Sequence, residues 1–252
     1  MKIALIQSAP KLNRSNMGYV LALIDASCEA DVVVFPELAL SGYMLQDKLF
    51  EDAWQIDELE PLQRASMKCD IAIGAAIWDN GKVYNSALYF SGGKLLHMHH
   101  KNYLPTYGMF EEGRYFAAGD EIKSFKTAQG NVAMVVCEDV WRVQTFGLLC
   151  EHDVDVIYVL ASSPARDFSD DGLLIESQWD ALLKSLALLT KAYVVFVNRV
   201  GFEDGLGFWG GSRVITPTGV VEYKLSLLEE ESEIVSLNHK LQKLERYIAK
   251  HS

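Results

Sequence analysis

The chain has 252 residues, half of them hydrophobic and 23% charged, with 18 glycines and 6 prolines. That much apolar surface excludes a disordered chain, the glycine and proline content excludes collagen-like and low-complexity classes, and the length fits one large domain or at most two small ones. A formal net charge of −11 repels polyanions at long range and speaks against a nucleic-acid reader.

In chain order, Lys2 to Gln7 reads as a buried strand, and Met17, Val20, Leu21 and Ile24 fall at helical spacing, which predicts an amphipathic helix over Ser15 to Cys28. Asp31 to Phe35 (DVVVF) is a β-branched run and predicts a central strand. Phe50 to Lys68 reads as helix, broken or kinked at Pro61. Strands are expected over Ile71 to Trp78, Val83 to Phe90 and Lys94 to His100, joined by turns at Asp79-Asn80-Gly81 and Ser91-Gly92-Gly93. Val132 to Cys137, Val154 to Leu160 and Tyr193 to Asn198 read as further buried strands, the last two separated by a helix near Leu173 to Lys191. Phe208 to Ile215 and Val220 to Tyr223 flank a turn at Thr216 to Gly219. The acidic run Glu229 to Glu233 reads as a solvated loop, and Leu237, Leu241, Leu244 and Ile248 mark a final helix. The total is about ten strands and four or five helices, with no linker or repeat, so residues 1 to 252 are expected to form a single domain. Hairpins mixed with crossover helices predict mixed sheets, two of them, with helices outside.

No apolar stretch approaches the roughly 20 residues of a membrane span, and the opening MKIALIQSAP has too short an apolar core for a signal peptide. Cys28, Cys69, Cys137 and Cys150 show neither metal-ligand nor redox-motif spacing, so free thiols in a reducing, cytoplasmic setting are expected. His97, His99 and His100 cluster, but alternation along a strand puts His100 on the opposite face from the other two, which favours packing over metal binding.

Three polar residues stand at the ends of apolar strands: Glu37 after VVVFP, Lys101 after His99-His100, and Cys137 after AMVV. Strand ends are where open sheets place reactive groups. A thiol is a nucleophile, a desolvated carboxylate a base, and an ammonium can hold an oxyanion. Taken singly, each has an ordinary structural explanation: a small buried hydrophobe, a loop carboxylate, a lysine that snorkels to solvent.

The surrounding motifs add a second line. FPELALSGY (35 to 43), HKNYLPTYGMFEEGRYF (100 to 116) and CEDVW (137 to 141) occur in this order. Together they resemble the nitrilase, or carbon–nitrogen hydrolase, superfamily, and are most similar to the glutaminase domains of glutamine-dependent NAD synthetases. The likeness runs from Met1 to the GSRVITPTG stretch near residue 219. It implies an α+β fold, an αββα sandwich of two mixed sheets with outer helices that packs against another copy, so a homodimer or higher homo-oligomer. It also implies a Glu–Lys–Cys triad of Glu37, Lys101 and Cys137. Cys137 would attack an amide carbonyl, Glu37 would move the proton, and Lys101 with a backbone N–H after Cys137 would hold the oxyanion. Glu112 matches a second glutamate that orients the site, and its neighbour Glu111 a variable acidic position. Tyr107, Glu138 and Ser163 match residues that contact the substrate head group, and Trp141 would wall the pocket. Without the motifs, Tyr107 and Trp141 read as core packing and Glu138 as a helix N-terminal acid.

The chain departs from that branch at SSPARDFSDDG (162 to 172), where Arg166 is the only basic residue and three aspartates follow. FSGGKLLH (90 to 97) has a phosphate-loop look but lacks the Asp-Ser of such loops and reads as a hairpin turn. The resemblance implies an amidohydrolase that cleaves a small linear amide through a thioester, without metal or cofactor. A glutaminase subunit that feeds ammonia to a separate synthetase partner, and a catalytically silent interaction protein on the same fold, are the alternatives.

Overall fold

The computed structural model describes residues 1–166, 168–169 and 172–238. In its first half, β1 (Lys2–Gln7), α1 (Asn16–Ala26), β2 (Val32–Val34), α2 (Leu49–Asp52), α3 (Glu60–Ala65), β3 (Asp70–Asp79), β4 (Lys82–Ser91), β5 (Lys94–His100) and α4 (Glu112–Tyr115) follow one another. Then come β6 (Ser124–Thr127), β7 (Gly130–Val136), a 3-10 turn (Cys137–Trp141), α5 (Val143–Glu151), β8 (Val156–Ala161), β9 (Phe168–Ser169), β10 (Gly172–Leu173), α6 (Leu174–Thr190) and β11 (Tyr193–Asn198). The last elements are β12 (Val200–Glu203), β13 (Leu206–Trp209), β14 (Arg213–Ile215), β15 (Val221–Lys224) and β16 (Glu231–Ser236).

Two six-stranded sheets carry the fold, ordered β16-β1-β2-β3-β4-β5 and β15-β14-β11-β8-β7-β6. They share one plan. Three parallel strands (β1-β2-β3 and β7-β8-β11) are flanked by one antiparallel strand on one side and two on the other. The parallel strands are joined by helices, as parallel pairing requires. This likeness of two halves is invisible in the sequence, where no repeat shows.

Alternation sorts the side chains into three apolar layers. Ile3, Leu5, Val32, Val34, Val132, Met134, Val156 and Tyr158 meet between the sheets. Ala4, Ile6, Val33, Phe35 and Ile71 face outward onto Val20, Ile24 and Leu62 from α1 and α3. On the opposite outer face Ala133, Val135, Ile157 and Phe196 pack on Leu149 of α5 and on Ile175, Trp179, Leu183 and Leu186 of α6. The result is the expected α+β sandwich, helices outside and sheets inside.

Several elements differ from the sequence-based expectation. The helix expected over Phe50 to Lys68 is broken at Ala53 to Gln55 and not at Pro61: α2 ends at Asp52, and helical turns resume over Ile56–Leu59 and α3. Ala53 is extended, the Trp54 N–H donates to the Ala76 carbonyl at 2.8 Å, and Pro61 sits in the first turn of α3, where its missing N–H costs nothing. The strand expected over Phe208 to Ile215 is cut in two by Gly210 and Gly211, both at positive φ. The acidic run is loop only over Glu229 and Glu230: Glu231 and Glu233 belong to β16, an edge strand that pairs antiparallel with β1. Cys28 lies beyond the end of α1. The sequence reading missed α4, α5, β6, β12 and the minor hairpin of β9 and β10. The expected final helix beyond Leu237 lies outside the described residues.

The end of β2 positions Glu37. The Phe35 N–H donates to the Ala72 carbonyl (2.8 Å) and the Gly74 N–H to the Pro36 carbonyl (3.1 Å), so β3 holds the chain up to Glu37. Leu38 then turns sharply at φ 51°. A Cβ on Gly74 would stand 2.4 Å from the Leu38 nitrogen and 2.6 Å from the Glu37 Cα. Gly74→Ala is therefore expected to destabilise the protein by about 1–3 kcal/mol through overpacking. Urea unfolding of the two proteins checks it, and an unchanged midpoint would show that the turn has room to move.

Candidate active site

Glu37, Lys101 and Cys137 come from the ends of β2, β5 and β7, and α4 adds Glu112. Lys101 is fully buried. Its Nζ donates to Glu37 Oε1 and to Glu112 Oε1, each at 2.7 Å. Three residues hold the two carboxylates in place. Asn85 Nδ2, on β4, donates to Glu37 Oε1 at 2.7 Å and to Glu112 Oε2 at 3.5 Å. The Tyr43 hydroxyl donates to Glu112 Oε1 at 2.5 Å. The Ser162 N–H, at the end of β8 in the other sheet, donates to Glu37 Oε2 at 2.6 Å, and its hydroxyl to the Glu37 carbonyl at 2.9 Å.

Cys137 stands where β7 breaks into the 3-10 turn, with φ at 42°, a conformation costly for any residue but glycine. It keeps partial solvent exposure, in contrast to the buried strand before it. Asp139 fixes this corner. Its Oδ2 accepts the Val136 N–H at 2.9 Å and the His99 Nε2 contact at 2.8 Å, while its Oδ1 accepts the N–H groups of Asn102 (3.0 Å) and Tyr103 (3.1 Å). One fully buried carboxylate thus ties the chain on both sides of Lys101 to the chain on both sides of Cys137.

Electrostatics couple the cluster. Burial acts to discharge Lys101, but the Glu112 and Glu37 carboxylates outweigh it and hold the ammonium well above the ordinary lysine value. Burial, with Glu37 beside it, pushes the Cys137 thiol well up, against the pull of Lys101. Burial also raises Glu112 to about 7, Lys101 opposing and Glu37 adding to the shift. Tyr43 is raised by burial and then by Glu112 and Glu37.

Of the other expected site residues, Tyr107 and Glu138 come together, the Tyr107 hydroxyl donating to Glu138 Oε2 at 3.0 Å. Glu138 Oε1 also accepts Arg142 Nη2 at 2.5 Å. Trp141 packs edge-on against Trp179 at 5.5 Å between centroids. Ser163 is turned away from the cluster's carboxylates: its hydroxyl accepts the indole N–H groups of Trp179 (2.9 Å) and Trp209 (3.1 Å). Glu111 pairs at the surface with Arg114. His97 stacks on Phe125 and His100 on Tyr84, so the three histidines make separate contacts. Among the described residues no group of three His, Cys, Asp or Glu side chains forms a metal cluster. The SGG segment forms the β4–β5 hairpin turn. Sequence reasoning gave no role to Asn85, Tyr43, Ser162, His99 or Asp139. Tyr43 closes the FPELALSGY motif and Asp139 sits inside CEDVW, so both lay in the stretches already singled out.

The sandwich and the buried charged cluster together define a hydrolase-like α+β fold, and comparison identifies it. Residues 2–247 match the Carbon-nitrogen hydrolase family, and the chain belongs to that family. It is 27% identical over 238 residues to a glutamine-dependent NAD(+) synthetase of Acinetobacter baylyi, covering 91% of this chain and 43% of that protein. It is 26% identical over 246 residues to a probable nitrilase of Schizosaccharomyces pombe, covering 92% of this chain and 85% of that protein. The chain thus spans less than half the length of the synthetases it matches. Among solved structures, the glutamine-dependent NAD+ synthetase of Acinetobacter baumannii superposes with a TM-score of 0.83 at 27% identity, over 96% of this chain and 46% of that one. A carbon-nitrogen hydrolase of Helicobacter pylori superposes with a TM-score of 0.87 at 19% identity, over 98% and 92% of the two chains, and shares the fold.

The raised Glu112 has a consequence for stability. A carboxyl whose folded-state pKa is above its unfolded value favours the fold most when protonated. Its contribution is complete below about pH 4.5 and is lost as pH rises through about 7. Between pH 5 and 8 the urea midpoint of the wild type is expected to fall relative to that of Glu112→Gln. Parallel curves would show that Glu112 does not carry that proton.

Proposed function

We propose that the protein is a thiol amidohydrolase that cleaves a small linear, non-peptide amide, with Cys137 as nucleophile. The observation that carries this reading is the burial of Lys101 between Glu37 and Glu112 in the electrostatic field of a strained, partly exposed cysteine. The family and the named relatives support it.

In this mechanism the amide carbonyl carbon is attacked by the Cys137 Sγ as the thiol proton passes to Glu37. The raised thiol pKa means that little thiolate exists beforehand, so a base beside the sulfur is required. The oxyanion of the tetrahedral adduct is held by Lys101 and by the Glu138 N–H, which lies in the first turn of the 3-10 segment, where backbone donors have no acceptor within the helix. An ammonium has three donors, and two are committed to carboxylates. The third is the one aimed at substrate. Glu37 then gives its proton to the leaving nitrogen, ammonia departs and a Cys137 thioester remains. Water, deprotonated by Glu37, attacks the thioester; the acid product leaves and the thiol proton returns from Glu37. Glu112, Asn85 and Tyr43 hold Lys101 and Glu37 in register and do not touch the reacting atoms. Tyr107, Glu138 and Trp141 are the substrate-facing residues of this reading, and the Ser163 hydroxyl serves the packing of two indoles instead. The cycle needs no metal or cofactor.

A second reading is favoured by the relatives named as glutamine-dependent NAD(+) synthetases, of which this chain matches less than half: the protein supplies ammonia from glutamine to a separate synthetase-like partner. The whole chain as a single hydrolase domain, assembled as a homodimer or higher homo-oligomer in a reducing, cytoplasmic setting, belongs to the same proposal.

Cys137→Ala is expected to abolish ammonia release from a panel of small amides, a loss of at least about 10⁴-fold, since without the nucleophile only binding and the oxyanion donors remain. Lys101→Ala is expected to lose roughly 10²-fold or more. Activity retained in Cys137→Ala would end the thiol mechanism, and glutamine turnover that appears only with a partner would favour the second reading.

A further inference from the structure

Lys101 and Cys137 belong to different sheets, and a buried imidazole helps to join them. Lys101 follows β5, an edge strand that pairs on one side only, with β4. Its backbone is bound into that sheet, the Lys101 N–H donating to the Asn85 carbonyl at 2.8 Å. Cys137 follows β7 in the other sheet. Ladder hydrogen bonds run within a sheet, so the register of ammonium against sulfur has to come from other contacts. Asp139 makes them. Three of its four donors are main-chain groups, the N–H of Val136, Asn102 and Tyr103. The fourth is a side chain, the His99 imidazole.

His99 lies two residues before Lys101 on β5 and brings Nε2 to 2.8 Å from Asp139 Oδ2. A carboxylate oxygen only accepts, so the hydrogen sits on Nε2. The two side chains are 2% and 0% exposed, where an unmet donor or acceptor is costly. The bond therefore fixes the ring and the carboxylate together. Oδ2 accepts at once from His99, on the strand that leads to Lys101, and from Val136, the residue before Cys137. One oxygen thus spans the gap between the two strands. Cys137 stands at φ 42°, a conformation that persists only while its neighbours impose it. Without the imidazole, Oδ2 keeps the Val136 N–H alone, and the corner can relax away from Lys101.

We propose that His99 is a positioning residue for the reaction: through Asp139 it holds the Cys137 sulfur in register with the Lys101 ammonium. This rests on the hydrolase reading above and adds to it the side chain that sets its geometry. His99 acts through Asp139 and takes no part in the proton transfers.

The test uses the full chain as wild type, His99→Gln, His99→Asn and His99→Met. The Gln side chain carries an amide donor at about the reach of Nε2, Asn the same donor one bond short, and Met the length without a donor. Ammonia release is measured from free glutamine, succinamate and valeramide, and the variants are compared on the amide that the wild type turns over fastest. His99→Asn and His99→Met are expected to lower kcat at least about 10-fold with KM within about threefold, the mark of misplaced reacting groups. His99→Gln is expected to stay within about threefold of the wild type in both. A rise in KM alone, or a His99→Gln variant no better than His99→Met, overturns the proposal. A second measurement needs no turnover. Iodoacetamide reacts with thiolate, and Lys101 pulls the Cys137 thiol toward that form against burial and the carboxylates. At pH 8, alkylation of Cys137 is read by peptide mass spectrometry against the exposed Cys28 and Cys150. It is expected to slow several-fold in His99→Asn and His99→Met and not in His99→Gln. Unchanged alkylation, or the faster alkylation that a merely loosened core would give, overturns the positioning role. If His99→Met does not fold, His99→Asn carries both measurements. Slowed alkylation in the variants, with no ammonia from any amide in the wild type, upholds the tie and overturns the hydrolase reading instead.

Discussion

An ammonium with no solvent exposure has to be neutralised where it stands, and this requirement organises one end of the molecule. Lys101 is matched by two carboxylates from different elements, Glu37 after β2 and Glu112 at the start of α4. Breaking a buried pair by removing one partner typically costs about 3–5 kcal/mol, so neither carboxylate can drift. Asn85 spans both of them from β4. Ser162 reaches Glu37 from the opposite sheet, so the cluster also joins the two sheets at the ends of their parallel strands. The two sheets share a plan, and Glu37 and Ser162 each follow the middle parallel strand of their own sheet. Convergence at strand ends is thus built into the topology.

Around this cluster the backbone is held in conformations it would not choose. Leu38 and Cys137 both adopt positive φ, and conformations of this kind persist only when surrounding contacts over-determine them. Asp139 supplies four of those contacts at the Cys137 corner. On the Glu37 side a second buried ion pair does comparable work. Glu203 pairs with Arg199 at 2.7 Å, and its other oxygen accepts the Tyr43 N–H at 2.7 Å and the Met44 N–H as well. Tyr43 then reaches Glu112. Two buried acids far apart in sequence thereby set the positions of the Cys137 corner and of the lysine's counter-ions.

Much of this was legible in the chain. DVVVF could only be an interior strand, and VYNSALYF and IAIGAAIW a hairpin joined at Asn80-Gly81. The strand-end position of Glu37 followed from DVVVF, as those of Lys101 and Cys137 did from KLLHMHH and AMVV, and the motifs tied all three to one family. What was hidden has a common physical cause. The supporting residues act across long separations, Ser162 on Glu37 and Glu203 on Tyr43, and no local periodicity reports such contacts. β16 was missed because an edge strand rich in glutamates has the composition of a loop. The helix expected over Phe50 to Lys68 is broken near Trp54 because that residue's N–H answers to a backbone partner in β3, against its local propensity. Ser163 matched a motif, but the indoles of Trp179 and Trp209, the second of them 46 residues away, claim its hydroxyl.

The central claim is that the charged cluster serves a thiol that becomes acylated. Acid-quenched peptide mass spectrometry during the first turnover of an amide tests it most directly. The account predicts an acyl adduct on the Cys137 peptide, absent from Cys28, Cys69 and Cys150 and removed by neutral hydroxylamine. Ammonia released in that first turnover with Cys137 unmodified throughout would contradict it.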